Sequence, residues 1–252
     1  MAGAKWKAAI VVGASSGIGE CVARKLADRG CRVGLVARRE DELERVAGEI
    51  RAQSGSEHAV IQVHDVRDGE SVPAAWDALE SALGPVDLIV YCAGAMPPVE
   101  LTEYTWSKDR AMVEVNVLGA MAWLNEAAIR MRGHNGDGGT IVGVSSVAGD
   151  RGRPGQPAYN ASKAALSTYL EALYHRLWRH GIAVVDVRPG PVHTPMTAHL
   201  EGLNAISPQE AAAGLLNAAE ERRRVAYVPG KWALIMCVIR NIPAFLFKRL
   251  GI

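Results

Sequence analysis

Six short runs, each apolar at nearly every position, recur along the chain with longer stretches of helical spacing between them. The runs are Ala8–Val12, Arg32–Val36, Ala59–Val63, Val86–Tyr91, Thr140–Val144 and Ala183–Val187. A strand with one wet face alternates polar and apolar residues, whereas a strand covered on both faces is apolar throughout. These runs therefore belong to a sheet buried on both sides. Its covers are the helical candidates Gly17–Arg29, Glu40–Gln53, Val72–Leu83, Lys108–Met131 and Ala158–His180. Strand and helix in repeated alternation build βαβ units, so the expected fold class is α/β, a doubly wound parallel sheet.

Nothing divides the chain. Its 252 residues contain no linker rich in Pro, Gly and Ser and no internal repeat of about 20–50 residues, so one domain spanning 1–252 is expected. The segment Arg132–Gly139 reads as a surface turn. Twenty-eight basic and 27 acidic residues leave a net charge of +1, which supplies no global field for nucleic acid or an anionic membrane. The four cysteines (Cys21, Cys31, Cys92, Cys237) form no CxxC pair, and the histidines show no ligand spacing. We expect no metal and no disulfide, and a reducing, cytoplasmic location. The run after Met1–Lys7 is too short for a signal peptide. No segment reaches the ~20 apolar residues that span a bilayer.

The first run leads directly into Gly13-Ala14-Ser15-Ser16-Gly17-Ile18-Gly19, and a helix follows. Glycines at such a turn let backbone approach a pyrophosphate, and the helix N-terminus offers unpaired N–H groups and a positive dipole end. A dinucleotide site is expected there. Which dinucleotide is read at the end of the second run. An NAD site usually carries a carboxylate there for the ribose 2′-hydroxyl, but this chain reads Ala37-Arg38-Arg39. Arginine holds a 2′-phosphate through charge-assisted bonds, so NADP(H) is the expected cofactor.

Tyr159 and Lys163 are four residues apart on one helix and share a face. An ammonium beside a phenol favours the phenolate, which makes a usable general acid or base. Ser145-Ser146 ends the fifth run, at the carboxyl edge where open α/β sheets place their ligands.

These residues, together with Asp65-Val66, Cys92-Ala93-Gly94, Asn116-Val117 and Pro189-Gly190, give the chain a resemblance to the short-chain dehydrogenase/reductase family in its NADP(H)-preferring branch. The motifs stand in family order over residues ~8–195 and imply a Rossmann fold. The resemblance implies that Tyr159 exchanges the proton with a carbonyl or alcohol oxygen and that Ser146, 13 residues before it, orients that oxygen. It implies that Lys163 holds the nicotinamide ribose and lowers the tyrosine pKa, and that Asn116 anchors a water in the proton relay. Asp65 and Val66 would meet the adenine, Val192 would bond the nicotinamide amide through its backbone, and Thr194 would sit nearby. Ser145 is expected to be structural. The family's Asn-Ala-Gly is Cys92-Ala93-Gly94 here, with an inert buried thiol expected. Its threonine before the first glycine is Val12.

Family members close the site with the segment after Pro189-Gly190, so a substrate lid is expected at about 191–210. It carries Met196, Leu200 and Leu203, with His193 and His199 as candidate substrate contacts. Ser207 and Glu210 form a capping box with Pro208 at the first helical position. The tail 231–252 is apolar, with Arg240, Lys248 and Arg249 among its cations and no acid. It is either an interfacial helix in peripheral contact with a membrane or an appendage packed on the body or a neighbouring subunit. Packing is the favoured reading. The expected activity is NADPH-dependent reduction of a hydrophobic ketone, or the reverse oxidation of a secondary alcohol, by a homodimer or homotetramer. A fatty-acid-type 3-oxoacyl-thioester reductase and a non-catalytic NADP(H) sensor are the alternatives.

Overall fold

The structure, a computed structural model, describes residues 5–250 apart from 56–57, 134–137, 201 and 203. The middle of the expected turn at Arg132–Gly139, and Leu203 of the lid, lie outside the described residues. Seven parallel strands form one sheet: β1 (Ala8–Val12), β2 (Arg32–Ala37), β3 (Ala59–Val63), β4 (Leu88–Tyr91), β5 (Thr140–Val144), β6 (Ala183–Pro189) and β7 (Val225–Val228). Their order is β3-β2-β1-β4-β5-β6-β7. The chain winds outward from β1 in one direction, then returns to add β4 on the other side. The crevice between β1 and β4 is therefore the switch point at which doubly wound sheets bind ligands.

Alternate residues of β1 feed two cores. Ala9 and Val11 pack with Val22 and Leu26 of α1 (Gly17–Ala27), Leu43 and Val46 of α2 (Glu40–Ser54), and Leu215 of α7 (Pro208–Glu220). Ala8, Ile10 and Val12 face the other layer. That layer holds Trp76 of α3 (Val72–Leu83), Trp123 of α5 (Gly119–Gly133) and Leu166 and Leu170 of α6 (Pro157–Leu177). The double cover explains why these strands carry apolar residues without alternation.

The structure departs from the sequence reading in three places. The fourth strand starts at Leu88, and Asp87 just before it ties down the start of β1, its carboxylate accepting the backbone N–H groups of Lys7 at 2.8 Å and Ala8 at 3.1 Å. The long helix expected over Lys108–Met131 is α4 (Trp106–Val113), a π turn at Glu114–Leu118 and then α5. The strand β7 was not expected. The tail forms α8 (Lys231–Asn241) and a short α9 (Ala244–Phe247). Of α8 only Met236 is fully buried, so the expected packing on the body holds for one edge of the helix alone. Among the described residues no helix is long and apolar enough to cross a membrane.

A buried ionic cluster fixes the sheet end beneath the site. Arg188 of β6 reaches Asp186 at 2.8 Å and Asp150, in the loop after β5, at 2.6 Å. The Tyr227 hydroxyl of β7 donates to Asp150 at 2.7 Å, and Ser145 Oγ donates to Asp186. Ser145 is thus a structural strut, and β5, β6 and β7 are tied together directly behind Ser146. Removing one member of such a cluster strands buried carboxylates. Arg188→Met is therefore expected to lower the unfolding free energy by roughly 3–5 kcal/mol, measured by urea denaturation.

Candidate active site

The glycine turn is built by steric necessity. Gly13 has φ +91° and donates to Val36 O at 2.7 Å, which folds the chain back at the end of β1. A Cβ on Gly13 would lie 2.6 Å from the Ala93 nitrogen, and one on Gly19 would lie 2.2 Å from Gly13 O. No side chain fits at either position. Gly17 has φ +60°, and Thr194 stands over it from the lid. Ser16 precedes α1 in extended backbone, and its hydroxyl makes no capping bond to the helix. The cradle therefore fits a pyrophosphate, with α1's dipole end facing it.

Arg39 donates to the hydroxyls of Ser15 and Ser16, each at 3.0 Å, and so straps the turn to the end of β2. Arg38 lines the same cleft and favours the ionised form of Asp65. The first turn of α2 carries Glu40, Asp41 and Glu42, which already complement its dipole. Arg38 and Arg39, the latter the N-cap of α2, both line the cleft. Asp65 itself is held by Arg67, 2.5 Å away, which lowers its pKa. Val66 and the neighbouring His64 line the cleft wall.

From this turn a cleft of about 890 Å³ runs over the ends of β4 and β5 to the lid. It collects Ile18, Cys92, Ala93, Gly94, Ser146, Tyr159 and Lys163. Pro189, Gly190, Val192 and Thr194 close its far side. The Ser146 hydroxyl accepts from Ala148 N–H at 3.0 Å and, by its hydrogen bond to Tyr159, favours the phenolate. Burial nonetheless holds the Tyr159 phenol above its usual value of 10. The side-chain cation that offsets this is Arg153, from the loop before α6. Lys163 lies with Nζ 5.7 Å from the centre of the tyrosine ring and donates to Val144 O at 2.9 Å. The expected depression of the tyrosine pKa by Lys163 is thus not what this geometry produces. Burial lowers Lys163 itself to about 8.

Asn116 sits in the π turn, fully buried. Its Oδ1 accepts from Ala95 N–H at 2.7 Å, and its Nδ2 donates to Ala95 O and Ser162 Oγ, each at 3.0 Å. The side chain clasps the loop after β4 to α6 close to Gly94 and Lys163. A π turn at such a place is a recurrent device of functional sites. The Cys92 thiol is pushed up to about 12 by burial, in keeping with an inert packing residue.

In the lid, Met196, Thr197 and Leu200 face the cleft. His193 and His199 are exposed and stand outside the cleft lining. Two contributors had no signal in the sequence. Arg153 is one cation in an irregular loop. Trp232 of α8 covers Gly190 so closely that a Cβ there would fall 2.0 Å from the indole Nε1. The tail thereby forms an edge of the cleft. Among the described residues no cluster of three or more His, Cys, Asp or Glu side chains forms a metal site.

The model of the short chain dehydrogenase family matches residues 7–203. An uncharacterized oxidoreductase of Myxococcus xanthus is 37% identical over 202 residues, 79% of this chain and 77% of that protein. The crystal structure of a short chain dehydrogenase/reductase from Burkholderia phymatum in complex with NAD superposes with a TM-score of 0.85 at 25% identity, covering 94% of each chain. A 3-ketoacyl-(acyl-carrier-protein) reductase from Brucella melitensis, complexed with NADH, gives a TM-score of 0.79 at 27% identity. That likeness covers 88% of this chain and 95% of that one.

Burying a lysine whose pKa falls from 10.5 to about 8 costs stability wherever the unfolded chain is protonated. Between those values the unfolded state binds more protons, so folded stability rises with pH there and the cost is fully present below about 8. Lys163→Met removes this pH-dependent cost. The stability of the variant relative to wild type is expected to fall by roughly 2–3 kcal/mol between about pH 7 and pH 10, as read by denaturant unfolding at both.

Proposed function

The chain belongs to the short-chain dehydrogenase/reductase family, and within it we propose that it is an NADP(H)-dependent oxidoreductase that reduces a hydrophobic ketone to a secondary alcohol. The observation that carries this reading is the convergence of Ser146, Tyr159 and the buried Lys163 on one cleft that begins at the glycine turn. The nicotinamide, when bound, supplies the hydride. The protein's own residues do the rest. Ser146 Oγ donates to the carbonyl oxygen and orients it, and Tyr159 delivers the proton to that oxygen. A phenol held above its ordinary pKa is protonated at neutral pH, which suits a proton donor and hence the reductive direction. Lys163, with Asn116 behind it, would hold the ribose.

Arg38 and Arg39 at the end of β2, both lining the cleft, support a 2′-phosphate. Met96, Leu101, Val147, Met196 and Leu200 line the cleft with apolar surface, which supports a hydrophobic substrate. A homodimer or homotetramer belongs to the same reading, because Tyr104, Trp106 and Ile129 stand exposed beside and along α4 and α5. A reducing, cytoplasmic setting fits the free cysteines. The likeness to the Brucella melitensis reductase keeps a second reading in play, reduction of a 3-oxoacyl thioester. Parallel assays on free ketones and on acyl thioesters separate the two.

Two outcomes test the assignment. Tyr159→Phe should lower kcat with NADPH and a reducible ketone by about 10²–10⁴-fold, with the NADPH Kd unchanged by fluorescence titration. Arg38→Ala should weaken NADPH binding by about 10–100-fold and leave NADH binding nearly as it was. Arg38 is the cleaner choice, since Arg39 also straps the turn through Ser15 and Ser16.

A further inference from the structure

The family model ends at residue 203, before the tail that follows β7. Its inner edge is fixed. Trp232 covers Gly190, Met236 is buried, and Arg151 donates to Ile239 O at 2.5 Å and Ile242 O at 2.6 Å. The same guanidinium lies 3.8 Å from the centre of the Phe247 ring, which holds α9 against the end of α8. The outer face is apolar and bare. Leu234 is 73% exposed, Val238 58% and Phe245 62%, with Ile235, Leu246 and Leu250 also exposed. Leu234, Ile235 and Val238 lie at i, i+1 and i+4, so they share one side of α8. This is a held surface with its apolar side turned to solvent.

Charge identifies the occupant. Lys231, Arg240, Lys248 and Arg249 are exposed around these residues, and residues 231–252 contain no aspartate or glutamate. A second copy meeting this face about a twofold axis would set the patch against itself and bring cation to cation with no carboxylate from the tail to offset them. An anionic bilayer surface complements both features, with apolar side chains entering the acyl boundary and cations at the headgroups. We propose that α8 and α9 dock the protein peripherally on anionic membranes, with the edge of the cleft formed by Trp232 beside the lipid. The helices lie on the surface and do not cross it.

The test is cosedimentation with equimolar phosphatidylcholine/phosphatidylglycerol vesicles, beside vesicles of phosphatidylcholine alone. Wild type should bind the anionic vesicles, bind the neutral ones at least about tenfold more weakly, and be released in part at ~1 M salt, where the Debye length is roughly 3 Å. The exposed-face variant Leu234→Glu/Val238→Glu and the charge variant Lys248→Glu/Arg249→Glu should each lose binding while keeping the wild-type circular dichroism spectrum. Failure of the wild type to bind anionic vesicles overturns the proposal. So does a Leu234→Glu/Val238→Glu variant that binds as wild type, or one that sediments as a monomer where wild type is a dimer. Binding is read without turnover, so this outcome stands apart from that of the reductase reading.

Discussion

The structure turns on the contact between Gly13 and the backbone of Cys92 and Ala93. With no side chain in the gap, β1 and β4 run side by side to their very ends, and α1 starts immediately above them. That contact opens the switch-point crevice and aims the α1 N-terminus into it. It also sets Gly94 within reach of Asn116 and Lys163. The binding half and the reacting half of the cleft are thus joined through a single close approach. Any side chain at Gly13 or Gly19 pries both halves apart.

Most of this arrangement was legible in the sequence because it is governed by local rules. Strands covered on both faces read as unbroken apolar runs, and glycine spacing at a strand end reports a tight turn. The capping box of Ser207 and Glu210 forms as written. What escaped notice lacks such a signal. Val225–Val228 lies at the sheet edge and buries only alternate residues, so its run is short and polar-flanked. The π turn at Glu114–Leu118 rests on the contacts of the buried Asn116 with Ala95 and Ser162, which no local pattern encodes. The contacts of Arg153 with the tyrosine field and of Trp232 with Gly190 join segments far apart in sequence, which no local pattern encodes. His193 and His199 show the opposite error, chemically suggestive residues that the backbone turns outward.

Burial sets the chemistry of the centre more than pairing does. It raises the phenol of Tyr159 and lowers the ammonium of Lys163, so each is pushed toward its neutral form. A neutral phenol is the right species to give up a proton, and a lysine near the middle of its titration responds strongly to whatever anionic or hydroxyl group arrives beside it. The surrounding framework is rigid enough to bear that cost. Asn116 clasps from one side, and the Arg188–Asp150–Asp186 cluster braces from below. At the rim, α8 belongs both to the cleft through Trp232 and to the outer apolar face through Leu234 and Val238.

The most direct measurement of the central claim is isotope transfer. Purified protein would be incubated with NADPH carrying deuterium at one or the other face of nicotinamide C4, together with a medium-chain methyl ketone, and the alcohol analysed by mass spectrometry. The account predicts deuterium on the carbinol carbon from one labelled face only, because a nicotinamide held in one pose by the cleft presents a single face of C4 to the carbonyl at Ser146 and Tyr159. A carbinol C–H hydrogen drawn from solvent, or equal transfer from both faces, would contradict it.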